Sequence, residues 1–126
     1  MKLAIIGSRV QMDDLSSQLL PFIPPETTEL VSGGAEGVDQ AAEQAAALLS
    51  LPIRVFLPDY DRYGQKAPLV RNAEIIRYAD EALAFWDGHS SGTMRTILDC
   101  LQMGKPVRIV PLSAEDQVEH KGTRIV

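Results

Sequence analysis

The sequence predicts an α/β, Rossmann-like three-layer sandwich: a mostly parallel five-stranded sheet with helices on both faces. Three observations predict it. Short apolar runs alternate with segments of helical period along the chain. The runs are continuous rather than alternating, as strands buried on both faces are. Glycines follow the first, second and fourth runs, on the sheet edge where such folds bind ligands.

The elements follow in order. Leu3-Ala4-Ile5-Ile6 is an apolar run closed by Gly7, and Met12, Leu15, Leu19 and Ile23 then recur at helical spacing up to Pro24-Pro25. Residues 28–32 read as a second strand ending at Gly33-Gly34. Val38, Ala41, Ala42, Ala45, Leu48 and Leu49 share one helical face, and its alanines fit close packing on a sheet. Residues 53–57 form the third strand, and 59–66 a polar loop whose Tyr60, Tyr63 and Lys66 make it a candidate lid. Pro68 opens a third helix running to about Tyr78. Residues 82–86 are the fourth strand. Met94, Ile97, Leu98 and Leu101 mark a fourth helix stopped by Gly104 and Pro106, with Met94 and Met103 read as core filler. Residues 107–110 are the fifth strand, and 123–126 a short edge strand.

The 126 residues, 45 % hydrophobic and 23 % charged, fit one domain over 1–126 with its own core. No apolar run approaches the ~18 residues of a membrane span. Cys100, the sole cysteine, is read as an inert core residue. A cytoplasmic domain with no metal and no cofactor is the expectation. Net charge is −5. Residues 1–52 carry two basic and seven acidic groups, and 53–126 ten of each. That balance argues against duplex DNA and leaves room for a local anion site.

Three loops and one helix carry candidate chemistry. Gly7-Ser8-Arg9 offers a tight turn, a hydroxyl and a guanidinium fork. Ser32, Gly33, Gly34 and Gly37 precede a helix start where backbone N–H groups and the helix dipole favour an anion. Asp39 is open between a ribose hydroxyl and support of that helix terminus. Asp87 and Gly88, followed by Ser91, Gly92 and Thr93, repeat the pattern at the fourth helix, where Ser91 or Thr93 also reads as an N-cap. His89 reads as exposed, and Trp86 as pocket rim or packing. Arg71-Asn72 reads, by itself, as a surface helix pair.

Together, Gly7-Ser8-Arg9, Ser32-Gly33-Gly34-Ala35 with Gly37-Val38-Asp39, Arg71-Asn72, Ala79-Asp80, Ala84-Phe85-Trp86-Asp87-Gly88, Ser91-Gly92-Thr93 and Gly104-Lys105-Pro106-Val107 occur in one order. In this the chain resembles the SLOG superfamily, which includes the DNA-processing Smf/DprA and LOG branches, and most of all its YspA-like (YpsA-related) group. The resemblance covers residues 1 to about 110. It implies a Rossmann-like domain binding a nucleotide or nucleotide-derived ligand through the first, second and fourth loops, with Arg71 as charge clamp. The LOG branch releases a free base from nucleoside monophosphates, using an arginine and a Pro-Gly-Gly-x-Gly-Thr-x-x-Glu loop. Arg71 and Gly92-Thr93 match that pattern, but Thr96 stands at the glutamate and Trp86-Asp87-Gly88 replaces Pro-Gly-Gly.

Three functions are therefore expected in descending order. The first is a nucleotide sensor or ligand-binding module whose partner is a nucleotide-derived small molecule. The second is a phosphoribohydrolase-like N-glycosidase with Arg71 and Asp87 as its catalytic candidates, since glycosidic cleavage needs a carboxylate that threonine cannot replace. The third is single-stranded nucleic-acid binding. No membrane partner is expected, and homo-oligomerisation stays open.

Overall fold

The computed structural model describes residues 1–8, 14–35, 37–112 and the backbone of 123–125. Six strands form one sheet in the order β3-β2-β1-β4-β5-β6. They are β1 (Lys2–Gly7), β2 (Glu29–Ser32), β3 (Ile53–Val55), β4 (Glu81–Trp86), β5 (Val107–Pro111) and β6 (Thr123–Ile125). The first five are parallel, and β6 pairs antiparallel with β5. The expected Rossmann-like sheet is present, with the edge strand added.

Strand alternation sorts the core into two faces. Leu3, Ile5, Leu30, Leu83 and Phe85 point to one side, under α1 (Leu15–Leu19) and α2 (Val38–Leu49). Ala4, Ile6, Val31, Ala82, Ala84 and Val107 point to the other. There Ile75 and Ile76 of α4 (Ala67–Tyr78) and Ile97 and Cys100 of α5 (Ser91–Gln102) pack against them. The register Leu3↔Glu81 through Gly7↔Phe85 brings the carboxyl ends of β1 and β4 side by side. That is the switch point of the fold, where the chain reverses its direction of travel across the sheet.

Several expectations are corrected. Residues 59–66 are not a loop but α3 (Tyr60–Tyr63) and a 3-10 turn (Gly64–Lys66). The Asp59 carboxylate starts α3 by accepting the Arg62 N–H at 3.1 Å. Leu48, 63 % exposed, and Leu49 lie beyond the buried stripe of α2, which ends at Ala46. Met94 is 48 % exposed rather than core filler, and Leu98 and Leu101 are exposed with it. The buried residues of α5 are Ile97, as expected, with Thr93, Thr96, Asp99 and Cys100. Met12 and most of the polar tail lie outside the described residues.

Candidate functional site

A cavity of about 400 Å³ opens at the β1/β4 switch point. Its floor is the end of β1, Ile6-Gly7-Ser8. Ala35 and Asp39 line it from the second loop and α2; Pro68, Arg71, Asn72 and Ile75 line it from α4. Asp87, Ser90, Ser91, Gly92, Thr93 and Thr96 close it from the fourth loop and α5.

Ser8 ties the two central strands together at the cavity floor. Its N–H donates to the Phe85 carbonyl at 3.0 Å, and its Oγ accepts the Asp87 N–H at 3.3 Å. Gly7 allows this crowding, because a Cβ there would sit 2.7 Å from the Phe85 carbonyl and from Val38.

Asp87 organises the fourth loop. Its Oδ1 accepts the N–H groups of His89 and Ser90, and its Oδ2 the Ser90 hydroxyl, each at 2.8 Å. These donors, Ser90 N–H first, hold the carboxyl well below its ordinary range, at about 2. The residue is therefore ionised at neutral pH and a poor proton acceptor. Ser90 is the N-cap of α5, in place of the expected Ser91 or Thr93, and its side chain makes no cap bond to the helix. The N–H groups of Ser91, Gly92 and Thr93 thus begin a 12-residue helix at the cavity wall. Thr96 Oγ1 donates to the Gly92 carbonyl at 2.9 Å, so the threonine at the LOG glutamate position serves its own helix. Trp86 packs beside the site, its Nε1 donating to the Ser90 carbonyl at 3.0 Å.

Arg71 overturns its reading as a surface residue: it is only 7 % exposed. Its Nη1 donates to the carbonyls of Gly33, at 2.5 Å, and Phe56, at 3.4 Å. Its Nε donates to Asn72 Oδ1 at 2.7 Å. Gly33 makes room for this, since a Cβ there would meet the guanidinium at 2.6 Å. Asp39, also buried, accepts the Ala35 N–H at 3.1 Å and so braces the loop that leads into α2.

Nine of the sequence candidates line the cavity: Gly7, Ser8, Asp39, Arg71, Asn72, Asp87, Ser91, Gly92 and Thr93. Ser32, Gly33, Gly34, Gly37 and Gly88 do not. Ser32 is fully buried, donating to the Asp39 carbonyl at 3.4 Å, and Gly37 is the N-cap of α2. Arg9 lies outside the described residues. Sequence reasoning missed Ser90, Pro68 and Ala35 as lining residues. Asp87 accepts the His89 N–H two residues on, the spacing of an Asx turn, and the Ser90 N–H one residue further. His89 is exposed, as expected.

Cys100 is buried as expected, its thiol pushed up to about 12 by burial. Among the described residues no helix is long and apolar enough to cross a membrane.

Fold and site together define a Rossmann-like domain with an open cavity at the switch point. The fold is that of DNA processing protein A. The structure of that protein from Streptococcus pneumoniae superposes with a TM-score of 0.71 at 20 % identity, over 92 % of this chain and 52 % of the other. A structure describing the single-stranded DNA binding mode of the Helicobacter pylori protein gives the same score and identity, over 92 % of this chain and 67 % of that one. The chain thus spans about half the length of the first of these proteins. Both neighbours carry that name, and at 20 % identity the likeness is one of fold. No family model matches the chain. The chain belongs to the family of the Gene 61 protein of Mycobacterium phage D29, with 31 % identity over 118 residues, 84 % of this chain and 93 % of that protein.

These comparisons correct one expectation. The partner was read as a nucleotide-derived small molecule, yet the H. pylori fold neighbour is described in a single-stranded DNA binding mode.

Proposed function

We propose that this chain binds single-stranded DNA and seats one backbone phosphate in the switch-point cavity. The carrying observation is the convergence of the α5 N-terminus and the buried Arg71 on one open cavity. The N–H groups of Ser91, Gly92 and Thr93 supply donors and the positive end of the helix dipole. Arg71, held by the Gly33 carbonyl and Asn72, supplies a fixed charge. The Ser8 hydroxyl completes the floor. The finer placement in the YspA-like group belongs to this reading, as does a cytoplasmic setting, where a lone thiol stays reduced.

The net charge of −5 shapes the expected binding. Few phosphates are neutralised, so affinity depends on salt only weakly. Each phosphate contact on a single strand contributes about −0.7 to the slope of log K against log salt. Fluorescence anisotropy of a labelled oligodeoxynucleotide, titrated at several salt concentrations, tests this. Saturable binding with a slope between about −0.7 and −2, and weaker binding to duplex of the same sequence, is the expected result. No saturable binding near 50 mM salt, or equal binding to duplex, would overturn it.

A further inference from the structure

The segment from Leu57 to Lys66 is not used by the phosphate site, yet it sits on the same edge of the sheet. It follows β3 and leads into α4, whose Pro68 and Arg71 line the cavity. Leu57 is 72 % exposed and Tyr60 56 % exposed. Leu57 lies against the second loop: a Cβ on Gly34 would come within 2.9 Å of its Cδ2. Gly34 follows Gly33, whose carbonyl holds Arg71. Leu57 is thus linked to Arg71 of the cavity wall through Gly34 and Gly33.

The segment's composition departs from the acidic average of the chain. Residues 60–66, Tyr-Asp-Arg-Tyr-Gly-Gln-Lys, alternate two aromatic rings with two cations and one acid. The Arg62 guanidinium lies 5.2 Å from the centroid of the Tyr63 ring. The Asp59 cap fixes the start of α3 and so the place where Tyr60 projects. Aromatic faces interleaved with cations suit a single strand, because every base has a face to stack and every linkage a charge.

Distance decides what can use this segment. From β4, where the α5 loop begins, to β3 is three strand spacings, or about 14 Å at ~4.8 Å each. Stacked nucleotides advance ~3.4 Å each, so the gap matches a strand of several nucleotides.

Resting on the single-stranded DNA reading, we infer that Tyr60 is a base-stacking ledge for a nucleotide several positions along the strand from the one whose phosphate occupies the cavity. The phosphate site anchors the backbone and the ledge holds a base without reading its identity. What the sequence marked as a lid is in this account a fixed second contact.

The test uses an oligothymidylate of about 15 nucleotides and the same backbone with abasic positions. Tyr60→Ala is expected to weaken binding to oligothymidylate by about 5- to 150-fold, the range for one stacked base. Tyr60→Phe should bind like the wild type, because it keeps the ring. On the abasic strand, wild type and Tyr60→Ala should bind alike. Equal affinities of wild type and Tyr60→Ala for oligothymidylate would overturn the ledge while leaving the phosphate site standing, and so would an equal loss on both strands. Absence of wild-type binding to either strand would remove the nucleic-acid reading itself. Tyr60 is exposed, and a thermal melt of each variant verifies that the fold is kept.

Discussion

The second and fourth loops look alike in sequence, each being glycine-rich and opening a helix, but the fold uses them in opposite ways. At Gly33 and Gly34 of the second loop there is no room for a side chain. A Cβ on Gly33 would strike the Arg71 guanidinium at 2.6 Å, and Gly34, at φ +71°, faces Leu57 and Val55. Around the fourth loop space is open: a Cβ on Gly88 or Gly92 meets nothing within 4 Å. The second loop is a scaffold that buries and aims an arginine. The fourth leaves helix-terminal donors facing the cavity. A glycine-rich loop therefore identifies a ligand site only when its own surroundings leave room for the ligand.

The largest expected effect breaks the scaffold. Arg71→Ala removes the donor from two carbonyls and should cost about 1–3 kcal/mol, a fall in Tm of roughly 4–12 °C. Oligonucleotide binding should vanish with it. Gly33→Ala leaves Arg71 in place but crowds it. Overpacking of this kind costs about 1–3 kcal/mol, and affinity should fall as the guanidinium is displaced. Gly92→Ala sharpens the contrast, because it should stabilise helix α5 by up to ~1 kcal/mol while its new methyl enters the cavity and weakens DNA binding. Opposite movement of Tm and affinity, measured on the same preparation, is the signature of an open site. A fall in both would place Gly92 in a packed environment.

A smaller effect concerns acid. The Asp87 carboxyl is depressed to about 2 from an ordinary 3.8, so the unfolded chain binds its proton first as pH falls. Its contribution is complete above about pH 4 and is lost as pH falls toward 2. Asp87→Asn should flatten that part of the acid-unfolding curve, with little change in shape near pH 7. The smallest effect is none at all: Cys100, buried with its thiol at about 12, should resist thiol reagents in the native protein and react only on unfolding.

The sheet was legible because its strands carry uninterrupted apolar runs, which only a two-sided parallel sheet buries. Helix faces were less so. On α5 two of the inward positions are Thr93 and Thr96, and the hydroxyl of Thr96 is satisfied inside its own helix, so polarity concealed the buried face. The leucines and the methionine then drew the stripe onto the exposed side. Arg71 was ambiguous for another reason. What buries it is the Gly33 carbonyl 38 positions away, a contact no local pattern encodes. Glycines were legible as loop markers, but whether each frames empty space or packed atoms depends on neighbours distant in sequence.

The most direct measurement is a backbone-amide NMR titration of the protein with single-stranded oligodeoxynucleotide, following Ser91, Gly92 and Thr93. The account predicts saturable shifts at these three amides, tracking the same binding curve as the anisotropy and absent in Arg71→Ala. Saturable binding that leaves all three amides unmoved would contradict it, because the strand would then be held away from the cavity.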